Sequence, residues 1–198
     1  MKKVVVKRVS ERDNETRKAD VTEASSQAAP AAPGVTDEDQ LLLDKYSRMF
    51  TGTFAHSLDS KGRMVIPLAF REMLGTTFSI TPAFDFKSIA VYPEVAYVRM
   101  REKYARAGKR KNDSNLQNYL QWLDAYTFRA QECDGQGRVL LPARLRQIIL
   151  GEDKDIDIMG SGDHLRIAAR AKCDDQLQSF MANLDSILSG ISTLDDDE

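Results

Sequence analysis

The sequence predicts a mainly β, α+β protein in which one small motif is used twice. Three observations carry this. The stretch "DSKGRMVIPLAFREML", starting at Asp59, returns as "DGQGRVLLPARLRQII" after a shift of 75 positions, starting at Asp134. Each copy is followed by two short apolar runs separated by Gly, Asp or Pro, "TFSIT" with "SIAVY" and "DIDIM" with "HLRIA". Such pairs read as β-hairpins. Each copy then closes on a helical stretch, "EVAYVRMREKYA" or "AKCDDQLQSFMANL". A whole order of elements repeated at one interval is the mark of internal duplication.

Residues 1–48 are charged and then rich in Ala, Ser and Pro ("ASSQAAPAAPG"). That composition buries little apolar surface, so a disordered N-terminal extension is expected. Within it "TDEDQLLLDKYSRM" predicts a short helix, with Thr36 as N-cap and acidic residues in the first turn. Met49 is a candidate translational start, which would make the preceding segment an extension. Residues 49–98 form the first copy, 99–126 a helical connector, 127–170 the second copy, and 171–198 a C-terminal helix with the acidic tail "TLDDDE".

Inside each copy, Asp-Ser-Lys-Gly and Asp-Gly-Gln-Gly are turn sequences: Gly supplies a positive φ and Asp bonds the turn backbone. "RMVIP" and "RVLLP" read as short buried strands, because three successive apolar residues leave no solvated face. Pro67 and Pro142 end these strands and suit the first turn of a helix. Phe70, Met73 and Leu74 then fall on one helical face, as do Leu145, Ile148 and Ile149. A copy of about 45 residues is too small to hold its own core, so the two copies must share one. In the connector, Leu116, Leu120 and Leu123 define an apolar helix face that Tyr119, Trp122 and Tyr126 widen. Lys109, Arg110 and Lys111 at its start read either as a solvated loop or as a phosphate contact.

The 198 residues carry a formal net charge of -2 and 42% hydrophobic residues, with a pI near 5.8. The chain as a whole is not a basic polyanion binder, although one face can still be positive. Cys133 and Cys173 make neither a metal-ligand spacing nor a disulfide framework. The apolar run Val4–Val6 is too short for a signal peptide, and nothing approaches the roughly 20 apolar residues that span a bilayer. A cytoplasmic protein with no membrane partner is expected. His56 and His164 occupy non-equivalent positions and read as polar strand residues. No Gly-rich nucleotide loop is present. No cofactor, no metal, no small-molecule substrate and no enzymatic activity are expected.

"MFTGTFAHSLDSKGRMVIPLAFREML", followed by "DGQGRVLLPARLR", resembles the MraZ family of bacterial transcriptional regulators. The resemblance covers roughly 49–170. It implies two tandem AbrB-like (SpoVT-AbrB, swapped-hairpin) units joined into one pseudo-dimeric domain, with protomers assembled as a homo-oligomer, a ring. It also implies a nucleoid-associated repressor of the cell division and cell wall gene cluster, its own promoter included, that binds short direct repeats in double-stranded DNA. The chain departs from the family in its first 48 residues and at "RIAAR", where Ala168 and Ala169 stand in place of a common aromatic.

The family's Asp-x-x-x-Arg motif falls on Asp59 with Arg63 and on Asp134 with Arg138. Lys61, Arg71, Arg144 and Arg146 are neighbouring basic candidates for DNA contact. Two readings of the motif stand. The arginines either only staple their turns, or the aspartates orient them toward DNA, where a guanidinium can grip a guanine edge or a phosphate. Surface ion pairs contribute only about 0–1 kcal/mol, a weak reason to write the same pair twice. Arg144 and Arg146, two apart on a helix, diverge by about 200°. The runner-up function is an AbrB-fold protein-interaction or antitoxin-like module with secondary DNA contact.

Overall fold

The structure is a computed structural model that describes residues 35–192. The disorder expected before residue 35 and the acidic tail from residue 193 lie outside the described residues. The first element, α1 (Asp37–Tyr46), starts on a reciprocal cap. Thr36 Oγ1 accepts the Asp39 N–H at 3.1 Å, and Asp39 Oδ2 accepts the Thr36 N–H at 2.9 Å. This satisfies donors that the first helical turn leaves open.

The first copy then runs β1 (Thr53–Ser57), β2 (Arg63–Val65), α2 (Leu68–Leu74), β3 (Phe78–Pro82) and β4 (Ile89–Pro93). Two helices follow, α3 (Glu94–Lys111) and α4 (Ser114–Ala125). The second copy repeats the order as β5 (Phe128–Gln131), β6 (Arg138–Leu140), α5 (Ala143–Ile149), β7 (Asp155–Gly160) and β8 (Leu165–Ala169). It too ends in two helices, α6 (Arg170–Ala182) and α7 (Leu184–Ser192).

The copies exchange strands. The six-stranded antiparallel sheet has the order β1-β7-β8-β4-β3-β5, so each copy's first strand pairs with the other copy's hairpin. Exchanging the copies turns this order into its own reverse. The remaining strands, β2 and β6, pair with each other. In that ribbon Met64 lies opposite Val139, its own counterpart in the repeat. At the centre of the large sheet Ala90 lies opposite Arg166, again its counterpart by position in the hairpin. Two antiparallel ladders centred on equivalent residues define one pseudo-twofold axis. The fold is therefore α+β, mainly antiparallel β, with two tandem AbrB-like copies.

One core serves both copies. Phe78, Ile80, Ile89 and Val91 from one hairpin, and Ile156, Ile158, Leu165 and Ile167 from the other, meet Phe70, Leu74, Leu145 and Ile149 from α2 and α5. Phe70 packs edge-on against Phe50 and Phe54, with centroids 5.7 and 5.1 Å apart. Gly160 is required where the chain leading into β1 crosses the end of β7: a Cβ there would stand 2.3 Å from the Phe50 backbone. Ala168 and Ala169 are fully buried. Beside them Arg170 reaches Asp157 at 3.1 Å and the His56 carbonyl at 3.2 Å.

Several expectations need correction. Val65 is half-buried and Leu140 is 54% exposed, so the β2–β6 ribbon does have a solvated face. Its alternation puts only Met64 and Val139 into the core, with the flanking Ile66 and Leu141. On α5, Ile148 is exposed, since Leu145 and Ile149 already fill the inward face. The connector is two helices, and Trp122 does not widen its buried face of Leu120 and Leu123. Trp122 lies 62% exposed, stacked on Tyr126. The break falls where Asn112 takes a left-handed conformation and Asp113 caps α4 through the Leu116 N–H at 3.0 Å. Lys109, Arg110 and Lys111 thus form the last turn of α3, where cations complement the helix dipole, rather than a loop.

Because β1 and β5 find partners only in the opposite copy, residues 49–126 expressed alone should lack a cooperative thermal transition as a monomer. Calorimetry with sedimentation checks this; a concentration-independent monomeric transition would contradict the shared core.

Candidate nucleic-acid interface

Each Asp-x-x-Gly-Arg stretch folds into the same turn. The Gly62 N–H donates to the Asp59 carbonyl at 2.9 Å and the Asp59 N–H to the Arg63 carbonyl at 2.9 Å. Gly62 has φ 78°, a region that costs a Cβ-bearing residue. One carboxylate oxygen of Asp59 accepts the N–H groups of Lys61 and Arg63, both at 2.9 Å. The other takes Nε and an Nη of Arg63, each at 2.7 Å. The second copy repeats the pattern. Asp134 accepts the Gln136 and Arg138 N–H groups at 2.9 Å and Arg138 Nε at 2.8 Å. The Arg63 and Arg138 pairings remain partly exposed. Arg63 is therefore bound to its aspartate along the Nε and Nη2 edge of its guanidinium, and Arg138 through Nε on the same side. The Nη1 edge has no protein partner among the described contacts and can bind a further acceptor.

The register of the ribbon places these two arginines. Arg63 stands opposite Leu140, and Arg138 opposite Val65. Met64 and Val139 point to the core, so Arg63, Val65, Arg138 and Leu140 share the outer face. The two arginines lie diagonally across the axis, about 8 Å apart at Cα from strand rise and spacing. A two-stranded ribbon of this kind fits the major groove of duplex DNA, about 12 Å wide.

Arg71 and Arg146 occupy a different place from Arg63 and Arg138. Arg71 Nε donates to the Ile66 carbonyl at 2.8 Å, and an Nη donates to the Gln136 carbonyl at 3.3 Å. Its guanidinium covers Gly137: a Cβ there would lie 2.0 Å from Cζ. Arg146 covers Gly62 in the same way, 1.3 Å from that Cβ position. Each arginine thus lies against the turn of the opposite copy. Both turns favour glycine for their positive φ, and a Cβ at either would displace the guanidinium that covers it. The sequence carried a signal of it, since Arg71 and Arg146 repeat at the same interval as the turn glycines.

The two ends of the ribbon differ. Beside the first turn lies an open cleft of about 430 Å³, lined by Asp59, Ser60 and Gly62 and, from the second copy, by Arg144, Arg146 and Lys154. Glu152 and Asp153 also line it. Arg144 is exposed and stands where the first copy has Ala69. Lys61 stands where the second copy has Gln136. Both unmatched cations therefore fall at the first-turn end. Lys154 escaped the sequence reading because it lies outside the repeated motif.

The electrostatics match the hydrogen bonds. The Arg138 backbone N–H, then its guanidinium, hold the Asp134 carboxyl at about 2, below its ordinary 3.8. The Arg63 N–H lowers Asp59 in the same sense. Burial pushes the Cys133 thiol up, away from thiolate chemistry. Among the described residues, no group of His, Cys, Asp or Glu could hold a metal ion. No helix among them is long and apolar enough to cross a membrane.

These features define a class: a duplicated, strand-exchanged β protein displaying two aspartate-stapled arginines on a central ribbon. The model of a family described as "MraZ protein, putative antitoxin-like" matches residues 49–119 and 128–187. The chain belongs to the MraZ family. It is 34% identical over 149 residues to the "Transcriptional regulator MraZ" of Natranaerobius thermophilus, covering 74% of this chain and 99% of that one. A protein of the same name from Finegoldia magna is 30% identical, with 74% and 99% covered. Another from Lactiplantibacillus plantarum is 37% identical, with 60% and 81% covered.

A carboxyl whose folded value is depressed contributes fully above its unfolded value, here 3.8, and loses that contribution as pH falls through about 2. The Arg138 amide resonance should therefore hold still from neutral pH down to about 4 and shift only below it; a shift centred near pH 6 would contradict the staple. Gly62→Ala should lower stability by about 1 kcal/mol or more, by positive φ and by displacing Arg146. A denaturant midpoint equal to that of wild type would count against the cross-copy contact.

Proposed function

We propose that the chain is a sequence-specific DNA-binding transcriptional regulator whose β2–β6 ribbon enters the major groove. Arg63 and Arg138 read base edges, oriented by Asp59 and Asp134. Lys61 and Arg144 take phosphates at the first-turn end, and Arg71 and Arg146 keep the turns in place from behind. The observation that carries this reading is the ribbon itself: two half-exposed arginines, each with one edge fixed and one edge open, on a single outward face. The names of the relatives agree with a role in transcriptional regulation.

The finer reading follows the family likeness: a repressor at the cell division and cell wall cluster, its own promoter included, acting from the cytoplasm on the nucleoid through short direct repeats. One protomer neutralises few phosphates, so its affinity is low and falls with salt. Assembly into a ring raises the effective concentration of each further ribbon on a repeated operator. Leu177, Phe180, Ile187 and Ile191, exposed on α6 and α7, offer apolar surface for such an assembly.

Gel shifts with DNA from the gene's own upstream region test this. Arg63→Ala and Arg138→Ala should each weaken specific binding by about 1–3 kcal/mol, the worth of one bidentate base contact. Oligomer size should stay unchanged, and wild-type binding should weaken as salt rises. Full affinity in the double variant would remove the ribbon from the interface.

A further inference from the structure

The far side of the large sheet carries a second basic surface that the ribbon does not use. Side chains alternate along β3 and β4, so Phe78, Ile80 and Val91 enter the core under α2 and α5 while Ser79 and Tyr92 face the other way. Helix α3 lies on that other side: Ser79 Oγ donates to Glu94 at 2.6 Å, and Tyr92 meets Tyr97 with ring centroids 6.4 Å apart. Between residues 99 and 111, α3 carries seven cations and one acid, Glu102. Arg101 is bound to Asp124, at 2.7 Å and 2.5 Å, and Arg106 to Glu102. Arg99, Lys103, Lys109, Arg110 and Lys111 have no ion pair among the described contacts. All five are exposed.

Their spacing gives a line. At 100° per residue, Arg99, Lys103, Arg106 and Arg110 fall within an arc of about 60° and extend over about 16 Å. Arg99, Lys103, Lys109 and Arg110 line one groove with Arg106 and Glu102. A second recess joins Arg99 and Lys103 to Tyr92 and Asp163. Asp163, hydrogen-bonded to His164 Nδ1 at 2.8 Å, offsets part of the positive charge at the Arg99 and Lys103 end of the line. The formal net charge of the whole chain is -2, so this density is local and not a by-product of a basic protein. The equivalent helix of the second copy, α6, carries no such run: after Arg170 and Lys172 come Asp174 and Asp175. The twofold plan of the fold therefore does not require it.

We propose that α3 is a second DNA contact, in which the phosphate backbone of a duplex lies along Arg99, Lys103 and Arg110 without sequence preference. Duplex DNA presents one charge per about 1.7 Å of axis, which a straight cationic line of this length complements. Since the line and the ribbon lie on opposite sides of the sheet, one protomer holds two separate DNA segments. The choice of DNA as the polyanion rests on the function proposed above.

The test uses the full chain. Arg63→Ala/Arg138→Ala is compared with the same variant carrying Arg99→Gln, Lys103→Gln and Arg110→Gln in addition. Binding of a random-sequence duplex is followed by anisotropy across salt concentrations, with thermal unfolding and sedimentation confirming equal fold and size. The ribbon variant should lose operator preference yet keep salt-dependent duplex binding. The added α3 changes should weaken that binding at least about ten-fold and reduce the log–log salt slope by about 0.9 for each phosphate no longer neutralised. Equal affinity and slope in the two variants overturn the α3 proposal, as does a ribbon variant that no longer binds any duplex; neither result touches the ribbon. Operator preference surviving in the ribbon variant defeats the ribbon reading instead, while the α3 comparison still decides this one.

Discussion

Met64 pairs with Val139 and Ala90 with Arg166, and those two registers constrain nearly everything else. A single copy has a hairpin with both edges unpaired and two strands with no neighbour, β1 and β2 in the first copy. Joining the copies settles this: the hairpins pair along one edge, β1 and β5 each cover the other edge of the opposite hairpin, and no inner edge is left open to aggregation. The same exchange leaves β2 and β6 only each other as partners. Both aspartate–arginine turns are thereby drawn to one ribbon on the axis, where neither copy alone could present a pair. The site is a consequence of how the core closes.

The core obeys the pseudo-symmetry closely, and the surface does not. Phe70 and Leu145, Leu74 and Ile149, and Ile80 and Ile158 fill matching places. The turns match bond for bond, and each is backed by an arginine from the other copy. Interior positions have to keep matching volumes, because cavities and overpacking both cost stability. Outward positions have no such constraint. Lys61 and Arg144 correspond to Gln136 and Ala69 in the other half, and basic α3 corresponds to an α6 whose exposed face holds Leu177, Phe180 and Met181.

Much of this was legible in the sequence because it depends on short-range chemistry. The duplication, the glycine turns, the helix starts after Pro67 and Pro142 and the hairpins all follow from local residue patterns. The exchange of strands was not legible from the residues themselves, because β1 alternates the same way whichever hairpin it joins; only the family resemblance pointed to it. For the same reason Arg71 and Arg146 looked like surface cations, although each lies against a glycine 66 or 84 positions away. "VLL" misled in another way: a continuous apolar run implies burial on both faces, yet Leu140 lies on the outer face beside the stapled arginines. An exposed leucine on a candidate groove-binding ribbon has a use, since apolar groups can meet thymine methyls. The Lys109–Lys111 run resembled a loop because charge runs suit solvated loops and helix ends alike; the Asn112–Asp113 pair, a C-cap followed by an N-cap, was the deciding signal.

Unequal halves also bear on the kind of operator such a protein can read. A true twofold dimer has no direction on DNA and favours palindromes, because site symmetry mirrors protein symmetry. Here the ribbon is nearly symmetric, while its ends differ: Arg144 and Lys154 line the cleft at the first turn together with Glu152 and Asp153, and Lys61 lies in that turn. In the proposed reading, reversing the module on a duplex would exchange two unlike ends, one with Lys61 and Arg144 and one with Gln136 and Ala69, so each protomer has a preferred direction. Protomers related by rotation around the proposed ring would all present the ribbon in the same sense, and DNA following its rim would meet them head to tail. Sites repeated in one orientation suit that arrangement, and inverted sites do not. The direct repeats implied by the family likeness thus acquire a physical reason: a duplicated chain, unlike a homodimer, is free to make its two halves different.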